Sequence, residues 1–198
     1  MSTVCAIATP AAVGGISVIR ISGEKAHEVA DKVFRPVSGR LPSELEGYRA
    51  AYGKIYDGGE RLDDGVILMF RSPHSYTGED VAEISCHGGI YVTRRVLTDC
   101  IKAAAAPAAA GEFTKRALLN GKMSLTQAEA VADIISAQGG QLLAASNNQR
   151  EGALYRRAES AAEKITEISA YISAWIDYPD DDTPTVTEEW LAKKRTAV

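Results

Sequence analysis

Ser75-Tyr76-Thr77-Gly78-Glu79-Asp80-Val81-Ala82-Glu83-Ile84-Ser85-Cys86-His87-Gly88-Gly89 is the stretch that decides how this chain folds. Just upstream lies the apolar run Val66-Ile67-Leu68-Met69-Phe70, and downstream Tyr91 to Ile101 repeats apolar residues at helical spacing. The order therefore reads strand, loop, strand, then a Gly-Gly turn that opens a helix. Side chains alternate along a strand, so Val81, Glu83 and Ser85 share one face. With Ala82 and Ile84 in a core, Glu83 points toward a cleft or toward water. An acid on the polar face of a strand is most often simply solvated. The glycine pair weighs against that plain reading, because glycines before a helix let a ligand or another backbone come close to the partly positive helix start.

The 198 residues are 45% hydrophobic and 24% charged, which suits one large or two small globular domains with a real core. The formal net charge of -4 and pI near 5.5 do not support a general grip on nucleic acid, although a local basic patch remains compatible with them. Cys5, Cys86 and Cys100 follow no C-x-x-C spacing, and neither a secretory leader nor a long apolar run is apparent. A reducing cytoplasm and no membrane association are expected. His27, His74 and His87 are scattered, and adjacent Cys86 and His87 would sit on opposite strand faces, so no zinc site is expected.

Upstream of the central stretch, Thr3 to Ala8 and Ile16 to Ile21 read as strands around the loop Thr9 to Gly15. Arg20 shares a face with Ile16 and Val18, where it needs a planar anion or a route to solvent. Ser22 is placed to cap a helix over Gly23 to Phe34. Tyr48 to Tyr56 reads as a strand that Asp57-Gly58-Gly59 turns toward Val66 to Phe70 in a hairpin.

Downstream, Ala103 to Ala110 reads as a connecting segment broken by Pro107, and Glu112 to Leu119 as a short helix stopped by Asn120-Gly121. Ser124 opens another helix and forms a capping box with Gln127. Lys122 then lies in the joint before a helix N-terminus, a place that suits an anion but more often holds a solvated lysine. Leu154, Ala158, Ala161, Ile165, Ile168, Ile172 and Trp175 alternate in spacings of four and three, an a/d seam that asks for a partner helix inside or outside the domain. Tyr178-Pro179 ends that helix, Asp180-Asp181-Asp182 form an acidic loop, and Trp190 is the large anchor of the final segment.

Several motifs, in order, resemble one family. They are Ala8-Thr9-Pro10, Gly14-Gly15, Ile19-Arg20-Ile21-Ser22-Gly23, Ser75 to Asp80, His87-Gly88-Gly89, Gly111-Glu112-Phe113-Thr114, Arg116-Ala117, Leu119-Asn120-Gly121-Lys122, Gln127-Ala128-Glu129-Ala130 and Ile176-Asp177-Tyr178-Pro179. The family is that of the tRNA-modification GTPases MnmE/TrmE. The resemblance implies an α+β fold: a mixed-sheet, aminomethyltransferase-like folate-binding and dimerisation domain over residues 1–118, then the first part of a mainly helical domain over 119–198.

Carried over motif by motif, it implies that Arg20, Glu83 and Lys122 contact a tetrahydrofolate derivative, either 5-formyl- or 5,10-methylene-tetrahydrofolate. The three would face one hollow sized for a pteridine. It also implies a homodimer that works with the flavin-dependent partner MnmG/GidA on C5 of the wobble uridine of tRNA. GTP, Mg and K would belong to a GTPase domain absent from these residues. Gly121-Lys122-Met123-Ser124 is only a near miss to the P-loop pattern. A stand-alone folate-dependent aminomethyltransferase and a helical interaction module are the alternatives.

Overall fold

The computed structural model of the chain describes residues 2–177 and Thr187. It divides into two compact units after Met123, whereas the sequence placed the boundary after residue 118. The difference arises because Asn120 and Lys122 still bond the loop before the central strand.

The first unit is a seven-stranded sheet in the order β3-β4-β5-β6-β2-β1-β7. Its strands are β1 (Val4–Ile7), β2 (Ile16–Ser22), β3 (Phe34–Pro36), β4 (Arg49–Asp57), β5 (Glu60–Phe70), β6 (Val81–His87) and β7 (Ala106–Pro107). All neighbours are antiparallel except β1 and β7, so the sheet is mixed, as expected of an α+β fold. Helices α1 (Ala26–Val33) and α2 (Ile90–Lys102) cover one face, while α3 (Glu112–Leu119) closes the unit.

Alternation sets the two faces of the sheet. Ile19, Ile21, Ile67, Met69, Ala82 and Ile84 are fully buried beneath the helices, joined by Val29, Val33, Phe34 and Val96. Each of the larger apolar residues stabilises the fold by about 1.5–3 kcal/mol relative to exposure. Cys5, Cys86 and Cys100 lie in the same core, where burial pushes the first two thiols up to about 11 and the third further still. Gly58 (φ 57°) and Gly59 (φ 107°) form the tight β4–β5 hairpin turn, which needs positive φ at both positions.

Four stretches depart from the sequence reading. Ser22 ends β2 instead of capping α1: its buried Oγ lies 2.7 Å from Thr77 Oγ1 and donates to Glu79 Oε2 at 2.8 Å. Helix α1 starts later, behind Lys25, whose backbone N–H donates to Thr3 Oγ1 at 2.9 Å. The segment Ala103 to Ala110 carries β7, and the loop after Phe34 carries β3 and a 3-10 turn at Pro42–Glu44.

The fourth departure lies in the second unit, which contains α4 (Leu125–Ser136), an unexpected α5 (Gly140–Arg150) and α6 (Ala153–Asp177). Ser124 caps α4 by the expected box, accepting from Gln127 N while Gln127 Oε1 accepts from Ser124 N at 2.8 Å. Gln127 and Gln149 then donate across the α4–α5 pair to the Arg150 and Thr126 carbonyls at 2.7 and 3.0 Å. On α6, Ile165 of the expected seam is 60% exposed. Tyr178-Pro179, Asp180 to Asp182 and Trp190 lie outside the described residues. No described helix is long and apolar enough to cross a membrane.

Buried His27 on α1 ties the helix side to the start of the central loop. Its Nε2 lies 3.3 Å from the Phe70 carbonyl oxygen, and its Nδ1 faces Arg71 at 2.5 Å and Asp80 at 3.4 Å. Burial is the largest effect on the ring and lowers its pKa, against the opposing pull of Asp80. The neutral ring also matches the geometry, since Nε2–H can donate to Phe70 while Nδ1 accepts from Arg71. The unfolded chain therefore binds a proton that the folded chain resists. Stability from His27 is complete above pH about 6.5 and falls as the pH drops below it. Urea unfolding from pH 7.5 to 5.5 should show this loss in the parent and not in His27→Gln; parallel profiles would refute it.

Candidate functional site

Arg20 and Glu83 stand directly opposite each other on β2 and β6, the two strands at the middle of the sheet. Their neighbours Ile19, Ile21, Ala82 and Ile84 fill the core, so alternation sends both charged side chains to the face that α1 and α2 leave bare. Arg20 Nε donates to Glu83 Oε1 at 2.7 Å, with about a quarter of each side chain exposed. Two aromatic rings bracket the guanidinium, Tyr76 at 5.5 Å and Phe113 at 5.3 Å from its carbon. Such contacts hold a cation in place while leaving its donors free in the plane. Among the described residues, Glu83 Oε2 and the terminal nitrogens of Arg20 take no hydrogen-bond partner.

The loop from Arg71 to Asp80 and α3 carry those rings, and a chain of polar contacts locks them together. Arg116 on α3 is 3% exposed and donates to both Glu79 oxygens at 3.1 and 3.0 Å. Its Nε donates to Glu112 at 3.1 Å. Tyr76 Oη lies 2.9 Å from Thr114 Oγ1, and Asn120 Nδ2 donates to the Thr77 carbonyl at 2.7 Å.

Lys122 joins this assembly at a different point. Its Nζ donates to the Pro73 carbonyl at 3.0 Å, and its stem lies where a side chain at Gly78 would project. The structure thus pairs Arg20 with Glu83 and attaches Lys122 to the loop that carries Tyr76. Sequence reasoning did not single out Tyr76, Phe113, Glu79 or Arg116, although all four stand inside the motifs it quoted. Cys86 lies in the core and His87 on the exposed side of the same strand end.

Residues 3–122 match the family described as the GTP-binding protein TrmE N-terminus, and residues 125–198 match the MnmE helical domain. The chain belongs to the MnmE/TrmE family. It is similar to proteins named tRNA modification GTPase MnmE from several bacteria. That of Clostridioides difficile is 42% identical over 192 residues, covering 97% of this chain and 42% of the relative. The Thermus thermophilus protein is 44% identical over 188 residues, covering 94% and 43%, and that of Geobacter sulfurreducens is 41% identical over 191 residues, covering 96% and 41%. The chain therefore spans less than half the length of these family relatives.

Proposed function

We propose that this chain is the tetrahydrofolate-binding, dimerising portion of a tRNA-modification GTPase that acts with a flavin-dependent MnmG/GidA-type partner on C5 of the wobble uridine. GTP hydrolysis, with its Mg and K, is assigned to residues outside these 198. The observation that carries the reading is the Arg20–Glu83 pair, held between Tyr76 and Phe113 on an otherwise bare sheet face.

The donor set suits a reduced pterin. The amino-pyrimidinone edge of a pteridine offers parallel N–H donors, which a carboxylate accepts in bidentate fashion. Glu83 Oε1 keeps a second lone pair beyond the Arg20 bond, and Oε2 is open. Arg20 orients that carboxylate and presents its remaining N–H groups to the ring oxygen. Lys122, one donor spent on Pro73, keeps two more for acceptor groups of the ligand. The ligand supplies the one-carbon unit; the chain's residues bind and orient it.

Titrating the purified chain with 5-formyltetrahydrofolate tests the reading. Saturable binding is expected, together with a dimer by light scattering. A stand-alone aminomethyltransferase would transfer the one-carbon unit without any partner, and a helical interaction module would show no binding at all.

A further inference from the structure

The open face continues past Arg20 and Glu83 along the strands. β2 and β6 stay paired as far as Ile16 opposite His87, but β5 leaves β6 beyond Val66 opposite Ser85. At that divergence Gly65 has no room for a side chain, since a Cβ would lie 1.9 Å from the Ser85 carbonyl oxygen. Beyond it the Asp63 carboxylate stands in for a strand. Its Oδ2 accepts from His87 N at 2.9 Å, and its Oδ1 accepts from His87 Nδ1 at 2.7 Å.

The splayed strands open a hollow of about 230 Å³ whose lining includes Ile16, Tyr52, Asp64, Val66, Ser85 and His87. Its floor is apolar: Ile16 is 69% exposed and Val66 40%. Its acids are already engaged. Asp64 accepts from Tyr52 Oη at 2.6 Å and from Arg61 at 2.8 Å, and both Asp63 oxygens serve His87. Two polar side-chain atoms of the lining have no hydrogen-bond partner among the described residues, the Ser85 hydroxyl and His87 Nε2, and of these His87 Nε2 is the one that can carry positive charge.

We propose that this hollow receives the carboxylate tail of an elongated ligand whose heterocyclic head sits at Arg20 and Glu83, with His87 Nε2–H donating to that tail. The proposal rests on the folate reading and extends it to a residue that reading does not use. Glu83 and His87 share a strand face four positions apart, roughly 13 Å at the usual rise per residue. Val18, Ser85 and Val66 floor the interval between them. A pterin joined through a flat benzoyl ring to glutamate presents its parts in that order: donor edge, apolar ring, carboxylates.

The Asp63 hydrogen bond, and next its charge, raise the pKa of His87 above the ordinary imidazole value, with a smaller contribution from Asp64. The ring thus keeps the second N–H that a carboxylate needs to higher pH. On its side of the sheet the neighbouring charged and titratable groups are Asp64 with its partners Arg61 and Tyr52, Lys54 opposite Asp64 on β4, and, four positions along β6, Glu83 with Arg20.

Calorimetric titration of the whole chain and of His87→Gln with 5-formyltetrahydrofolate, and with its glutamate diamide, decides the matter. His87→Gln should weaken the acid about tenfold, as expected for one charge-assisted hydrogen bond, and the diamide by less than about twofold. The parent's preference for the acid should also fade as the pH rises through the His87 pKa, and the variant should lack that step. Equal losses with both ligands, or no loss with either, overturn the proposal while leaving the folate reading standing. A parent chain that binds neither ligand overturns both.

Discussion

Glu83→Ala should abolish saturable binding of 5-formyltetrahydrofolate and leave the fold intact. A carboxylate accepting two ligand N–H donors contributes two hydrogen bonds to a charged group, about 3–6 kcal/mol together, so Kd should rise by a hundredfold or more. The fold should survive because Glu83 projects from the bare face, while the core is filled by its neighbours Ala82 and Ile84. Arg20, left without its partner, keeps its contacts with Tyr76 and Phe113 and a route to solvent. Circular dichroism and thermal melting establish the fold, and titration the affinity. A folded variant that still binds like the parent would remove Glu83 from the site.

The second large effect is on stability and comes from Arg116. Replacing it with Met leaves the Glu79 and Glu112 carboxylates, both mostly buried, without their cation. Breaking such a pair from one side typically costs about 3–5 kcal/mol, because the remaining charge is stranded. Urea unfolding should therefore show a loss of that order for Arg116→Met. The double variant with Glu79→Met should lose less than the single one, since it removes the stranded Glu79 charge as well. A single-variant loss below about 1 kcal/mol would show that the pair does not hold the loop to α3. Affinity for the folate should fall too, because Tyr76 and Phe113 bracket Arg20 from the two elements that Arg116 joins.

Much of the fold was legible because its signals are local. Alternation in Val81 to Ser85 put Glu83 opposite the core side, and the same period on Ile16 to Ile21 put Arg20 on the matching face. Asp57-Gly58-Gly59 announced the hairpin, and Ser124 with Gln127 announced the start of α4. What stayed hidden depends on contacts between distant residues. Ser22 has the chemistry of a helix cap, but Thr77 and Glu79, more than fifty positions away, claim its hydroxyl. The strand β7 is two residues long and exists only by pairing with β1. Gly140 to Arg150 mixes polar and apolar residues without a stripe, so α5 leaves no periodic trace. At the site, motif order brought Arg20, Glu83 and Lys122 to notice. The rings around the guanidinium and the Pro73 carbonyl that holds Lys122 needed the folded loop.

Because Arg20 and Glu83 face one another across a single rung of an antiparallel ladder, the site proposed at them has no partial version. A slip of one position between their strands would turn one partner into the interior and unmake the pair. A molecule recognised by both can be captured only after segments more than sixty residues apart have been zipped in the right phase. Occupancy of the proposed site would therefore certify completed folding, and by mass action it would hold the finished sheet against unravelling.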